Sequence, residues 1–170
     1  QLEKRLGGPA PVASFAISSL GGNAEFIGRF GSDDAADFLK AEFIQSGIPT
    51  HKSITVKDAQ TSQSQIFEDK KGERRLAVFN EDTLINEKTI PAFEFSIGPH
   101  YLVDTNWSEA AHFVAVQSQK NKLDCVVDLD NFSNSARLEE VVNLSSHPIF
   151  SEIGLNRYTN NKPIIEALKS

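Results

Sequence analysis

The groups best placed to do chemistry begin at Gly7-Gly8-Pro9-Ala10. Two glycines let a ligand press against bare backbone, and a helix starting at Pro9 would present unpaired amides to hydroxyls or anions. The same four residues also fit a plain turn ahead of a helix, and spacing alone leaves both readings open. Asp33, Asp34 and Asp37 could surround a cation, but carboxylates at a helix start are better explained as caps and dipole partners. Lys70, Lys71, Arg74 and Arg75 gather at a polar turn, where solvated charge is the ordinary outcome and Arg74 could reach an anionic ligand. His51, His100, His112 and His147 show no metal-ligand spacing, and no serine–histidine–acid set is visible. Trp107 opens a helix and reads either as packing or as a stacking surface. The single cysteine, Cys125, excludes an intramolecular disulfide and a cysteine metal cluster, and within Cys125-Val126-Val127 it reads as a small buried hydrophobe.

The composition bounds what these groups can serve. The chain has 170 residues, 39% hydrophobic and 24% charged, as expected of a folded protein with one core. Its formal net charge of -6 repels phosphate backbones and anionic lipid, which argues against general nucleic-acid or membrane binding. A nucleotide remains compatible, because local amides and a metal ion set the field inside a cleft. No stretch approaches the length of a membrane span and the first residues are not signal-like, so a cytoplasmic location is expected. The chain begins at Gln1 and contains no methionine, as a truncated chain would.

The elements that must hold these groups follow from periodicity. Pro9 to Leu20 is expected to be a helix with Ala13, Ala16, Ile17 and Leu20 on one face, closed by Gly21-Gly22. Ala24 to Phe30 reads as a short strand. Ser32-Asp33-Asp34 starts a second helix carrying Phe38, Leu39, Phe43 and Ile44, which Gly47 closes. Three strands follow, Ser53 to Val56, Ser62 to Glu68 and Arg75 to Phe79, the last two joined by the hairpin turn Asp69 to Glu73. After an irregular stretch from Glu81 to Gly98 the chain alternates. Strands are expected at His100 to Asp104, Cys125 to Leu129 and Pro148 to Ser151. Helices are expected at Trp107 to Gln119, Ser135 to Leu144, Ile153 to Tyr158 and Pro163 to Lys169. That alternation predicts an α/β body with a mostly parallel sheet covered by helices on both faces, interrupted by a small β insertion.

Several of these segments carry a resemblance. Gly7-Gly8-Pro9-Ala10, Leu20-Gly21-Gly22 and Phe26-Ile27-Gly28-Arg29-Phe30-Gly31-Ser32-Asp33-Asp34 are together similar to the amino-terminal signature of ribokinase-like (PfkB-family) carbohydrate kinases. Gly47-Ile48-Pro49-Thr50 resembles that family's entry to its lid strands, Asp69 through Arg74 its lid hairpin, and Asp128-Leu129-Asp130 its strand-end acidic motif. Within the family, Gly7-Gly8-Pro9-Ala10, Ser62-Gln63-Ser64, Asp104 with Trp107, and Phe150-Ser151-Glu152 with Gly154-Leu155 resemble the sulfofructose kinase-like branch. Ketohexokinase-like members share the serine near position 151.

The resemblance implies a ribokinase-like fold with residues 1–49 and 80–170 as an incomplete α/β core and 50–79 as a β-sheet lid. It implies ATP-dependent phosphorylation of a sugar or sugar-derived hydroxyl by the full-length protein, with magnesium. Gly7, Gly8 and Pro9 would lie under the sugar, with Val12 where many members carry an asparagine. Ser62 and Ser64 would lie above it on the lid, and Asn106 would point into the cleft, where the sulfosugar branch has a basic residue. Asp128, Ser151 and Glu152 would lie towards the nucleotide. Ser151-Glu152-Ile153-Gly154 departs from the family's Asn-x-x-Glu run, and no residue here is assigned to a metal.

No catalytic residue is assigned either. The family's Gly-Ala-Gly-Asp run, which supplies amides and the base, is expected beyond Ser170, and the first strand with its sugar-binding aspartate before Gly7. This chain alone is therefore expected to be inactive. The expected partners are a small sugar and ATP, with no nucleic acid or membrane, and a homodimer through the lid. Two other readings are a non-catalytic sugar- or nucleotide-binding protein of the same fold and a nucleoside kinase.

Overall fold

The computed structural model describes residues 3–90, 100–130, 136–160 and 162–167. The chain divides into two compact units, Gln1–Ala92 and Phe93–Ser170. The expected helix start at Ser135, the end at Lys169 and the latter part of the 81–98 stretch fall outside the described residues.

In the first unit, helix α1 (Pro9–Ser19) follows Gly8, whose φ of 94° lies in the left-handed region that glycine enters without strain. The face it buries is not the expected one. Ser14 is buried and Phe15 packs on the core, whereas Ile17 and Leu20 are exposed. The cause is an aromatic cluster. Phe15 stands 5.4 Å from Phe43, which stacks on Phe26 at 4.6 Å and meets Phe30 edge-on at 6.3 Å. These rings bury more area than a face of alanines offers. The serines on that side are satisfied, Ser14 Oγ donating to Ala10 O at 2.7 Å and Ser18 Oγ to Ser46 O at 2.9 Å.

Strand β1 (Arg29–Phe30) is much shorter than the expected 24–30. The backbone before it is satisfied elsewhere, with the Phe26 N–H on Pro49 O and the Gly28 N–H on Ser53 Oγ, so no ladder extends. Helix α2 (Asp34–Gln45) buries Phe43 and ends at Gly47, while Ile44 stays exposed. Strand β2 (Ile54–Thr55) pairs parallel with β1.

Strands β3 (Gln63–Glu68) and β4 (Arg74–Phe79) form the expected antiparallel hairpin, with Gln63 opposite Phe79 and Glu68 opposite Arg74. A one-turn helix that the sequence did not suggest, α3 (Asp82–Ile85), follows directly. Its Leu84 is buried with Val56 and Ala59.

Asp33 joins these parts. Its Oδ1 accepts from the Ala36 N–H at 3.0 Å, capping α2, and from the Thr61 hydroxyl at 2.7 Å. Its Oδ2 accepts from the Thr61 N–H at 3.0 Å. Burial alone would push this carboxyl up, but the hydrogen bonds from Thr61 and Ala36 together hold it below the usual carboxylate value. A depressed carboxylate stabilises the fold fully above its unfolded value of 3.8, and that stability is lost as pH falls through the lower folded value. Asp33→Asn is therefore expected to cost about 2 kcal/mol at neutral pH, since an amide would set a donor against the Thr61 N–H. The check is the urea midpoint between neutral and strongly acid pH. The variant should show a shallower acid limb than the parent, and parallel limbs would remove Asp33 as its source.

In the second unit, β5 (Tyr101–Asp104), α4 (Ser108–Asn121), β6 (Cys125–Leu129), α5 (Ala136–Leu144) and β7 (His147–Phe150) alternate, followed by α6 (Glu152–Tyr158) and α7 (Ile164–Ala167). The strands are parallel in the order β5-β6-β7. Two crossovers of one hand advancing in one direction put both helices on the same face. Accordingly Ala111, Val114 and Ala115 of α4 and Leu138 and Val141 of α5 form one core with Cys125, Val127 and Leu129. Arg137 pairs with Glu109 at 2.7 Å and His112 with Glu140 at 2.6 Å across the helices. The Cys125 thiol is pushed up to about 11, chiefly by burial, and is inert at neutral pH. Among the described residues, no helix is long and apolar enough to cross a membrane.

Candidate functional site

The parallel register of the second unit gathers polar groups at the carboxyl ends of its strands. Asp104 stands beside Asp128, and Leu129 beside Phe150. In open parallel sheets this end collects ligands, because loops diverge there and helix starts converge on it. Asn106, exposed two residues past β5, donates its N–H to Asp104 Oδ1 at 2.9 Å, which folds the loop back over the strand end. Asp128 accepts at Oδ1 from the Asp130 N–H at 3.2 Å. Burial first, then the charges of Asp130 and Asp104, push the Asp128 carboxyl up. Such an acid gains from any donor or cation brought to it.

Ser151 directly follows β7 and caps α6, its Oγ accepting from the Gly154 N–H at 3.0 Å. The sequence suggested that Ser151 ends the strand; it starts the helix instead. Glu152 is exposed in the first turn. Asn106, Asp128, Ser151 and Glu152 thus share one end of the three-stranded sheet. Among the described residues, no group of three or more histidines, cysteines or acids could hold a metal ion.

The remaining candidates lie in the first unit. Gly7 leaves open space where a Cβ would stand, and Gly8 caps α1 through its backbone alone. Pro9 occupies the first helical turn, and Val12, one turn in, is 52% exposed. Ser62 is exposed just before β3, and Ser64, two residues on, shares its side of the strand with Ile66.

The other candidates have local partners or are buried. Asp33 is a helix cap, and Trp107 is buried at the start of α4. Arg74 pairs with Glu68 at 3.1 Å. His51, His100 and His112 stand beside single carboxylates, and His147 beside the Ser146 hydroxyl. The residue that sequence reasoning passed over is Thr61, which is buried. Its hydroxyl donates to Asp33 and accepts from the Gly31 N–H at 3.0 Å. No local pattern marks it, since its partners lie about thirty positions earlier.

The family model described as pfkB family carbohydrate kinase matches residues 1–167. A candidate ribokinase from Agrobacterium tumefaciens superposes with a TM-score of 0.81 at 24% identity, over 99% of this chain and 59% of that one. A fructokinase from Xylella fastidiosa, solved with bound ATP, gives a TM-score of 0.69 at 20% identity, over 95% of this chain and 57% of that one. A nucleoside kinase from Burkholderia thailandensis, in complex with inosine, gives 0.68 at 15% identity, over 89% and 50%. The chain therefore has the ribokinase-like α/β fold, and it spans little more than half the length of these proteins.

Proposed function

The chain belongs to the pfkB family of carbohydrate kinases, and from that premise we propose that the whole protein transfers the γ-phosphate of ATP to a hydroxyl of a sugar or nucleoside. The observation that carries this reading is the family match across residues 1–167. In it, residues 1–49 and 80–170 form the body and 50–79 the lid. The Gly7-Gly8-Pro9 start of α1 lies under the acceptor, offering bare backbone to its hydroxyls. Val12 supplies an apolar contact, Asn106 a donor and an acceptor, and Ser62 and Ser64 small polar groups from the lid. Asp128, Ser151 and Glu152 face the nucleotide.

Phosphoryl transfer needs positioning and charge stabilisation more than covalent help. A lid closing over the acceptor keeps water from the phosphate. Magnesium would arrive on the nucleotide's phosphates. No residue of this chain is assigned as the base. The reading places the protein in the cytoplasm, and the exposed Phe67 and Phe79 of the hairpin suit a lid-to-lid homodimer. Light scattering that returns a monomer would remove the dimer.

The test is ADP release by the full-length protein with ATP, magnesium and a panel of D-ribose, D-fructose and inosine. Turnover with one member is the expected result and assigns the acceptor class, inosine marking the nucleoside-kinase reading. Saturable binding of a panel member without ADP release would instead install a non-catalytic binding protein. The exposed Val12, at a position where a polar contact would serve a sugar, favours that second reading.

A further inference from the structure

Both strands of the β3–β4 hairpin are exposed along their whole length, so the hairpin's orientation is set where its legs join the rest of the first unit. The incoming leg is gripped by consecutive residues after β1. Ser32 Oγ accepts from the Asp58 N–H at 2.9 Å, and the Ser32 N–H donates to Ala59 O at 2.9 Å. Asp33 takes both the N–H and the hydroxyl of Thr61, whose oxygen also receives the Gly31 N–H. The outgoing leg is tied to the same strand, because Arg29 donates to Ile85 O at 2.9 Å and to Glu87 O at 3.0 Å. Glu81 caps α3 through the Thr83 and Leu84 N–H groups, where the outgoing leg meets the incoming one. Leu84 buried on Val56 and Ala59 fills the space between them.

Of these ties, the Asp33–Thr61 pair sits nearest the hairpin, one residue before Ser62. It is also the one fixed from a rigid body, since the carboxylate that holds Thr61 caps α2. We propose that Asp33, acting through Thr61, is the positioning residue of the lid: it sets the angle at which β3 leaves the rest of the first unit and hence where Ser62 and Ser64 stand over the acceptor. The assignment rests on the kinase reading for what the lid covers, but not for the grip itself. A carboxylate taking two hydrogen bonds from one residue fixes that residue's direction as well as its place, which a single bond does not. Rigid support one residue behind a contact is what holds it to the tolerance that phosphoryl transfer demands.

The experiment separates the two claims. Spin labels at Lys70→Cys on the hairpin turn and Ala41→Cys on α2 report the lid angle in the full-length protein, with buried Cys125 unlabelled and any accessible cysteine outside residues 1–170 replaced by serine. The parent and Thr61→Ser, which keeps the hydroxyl, should give one narrow distance distribution. Thr61→Val, which keeps the shape, and Asp33→Asn should both lose the single peak. In the ADP-release assay, Thr61→Val should raise KM for the best panel acceptor by about 10- to 100-fold, leave KM for ATP unchanged, and be rescued by Thr61→Ser. A distribution that stays narrow in both Thr61→Val and Asp33→Asn overturns the grip. A broadened distribution with an unchanged acceptor KM overturns the positioning role. Should the parent turn over no acceptor, the kinase reading fails, and the distance measurement alone still decides the grip.

Discussion

Gly31→Ala is expected to destabilise the first unit by about 3 kcal/mol or more, through collision with backbone. A Cβ at Gly31 would overlap the Ala59 carbonyl oxygen and stand 2.6 Å from Thr61 N and 2.7 Å from Gln60 C. None of these atoms belongs to a side chain that can swing away. Relief would require the 59–61 segment to move, and that movement breaks the Gly31 N–H bond to Thr61 Oγ1 and the Ser32 N–H bond to Ala59 O. The damage should therefore reach the β3–β4 hairpin before it reaches α1. Urea unfolding reads the total loss, and amide hydrogen exchange across 58–61 shows whether it is local. Gly7→Ala is the matched control: nothing lies within 4 Å of a Cβ there, so the change in stability should stay within about 0.5 kcal/mol. Equal effects at the two glycines would mean that Gly31 is not packed as described.

Much of the fold was legible because it rests on local signals. Cys125 to Leu129 reads as a strand from composition and is one, with the same ends. The hairpin turn announces itself at Asp69 to Glu73, and the start of α2 at Ser32-Asp33-Asp34. What was not legible depends on partners. The 24–30 run has strand-like residues but ladders only at Arg29–Phe30, because Ser53 Oγ and Pro49 O satisfy the backbone before it. The buried face of α1 is chosen by Phe43, twenty-eight residues beyond Phe15, rather than by its own alanine stripe. Helix α3 starts on a glutamate cap, which is outside the usual set of short cap side chains. For the candidate site, the strand-end set of Asn106, Asp128 and Ser151 follows from alternation and resemblance. Thr61 does not, since its only signal is an acid twenty-eight positions away.

Gly154→Ala should cost the second unit a comparable amount, and the sign of its effect discriminates sharply between two forces. By helix propensity alone, alanine in α6 would gain about 1 kcal/mol over glycine. Space opposes this: a Cβ at Gly154 would overlap the Leu129 carbonyl oxygen and come within 3.2 Å of Ser151 Oγ. The carbonyl ends β6, which has neighbours on both sides in the sheet and cannot retreat without breaking its ladder. Helix α6 must then lift, and about 3 kcal/mol of overpacking outweighs the propensity gain. Lifting α6 also moves Ser151 and Glu152 away from Asp128, because the Gly154 N–H to Ser151 Oγ bond fixes the turn that carries them. Two readouts follow in the full-length protein. Cys125, buried under α4 and α5, should react faster with a thiol reagent as the unit opens, and on the proposed kinase reading ATP affinity should fall while acceptor affinity changes less. A variant more stable than the parent would show that α6 does not press on β6, and would detach Ser151 and Glu152 from the strand-end site.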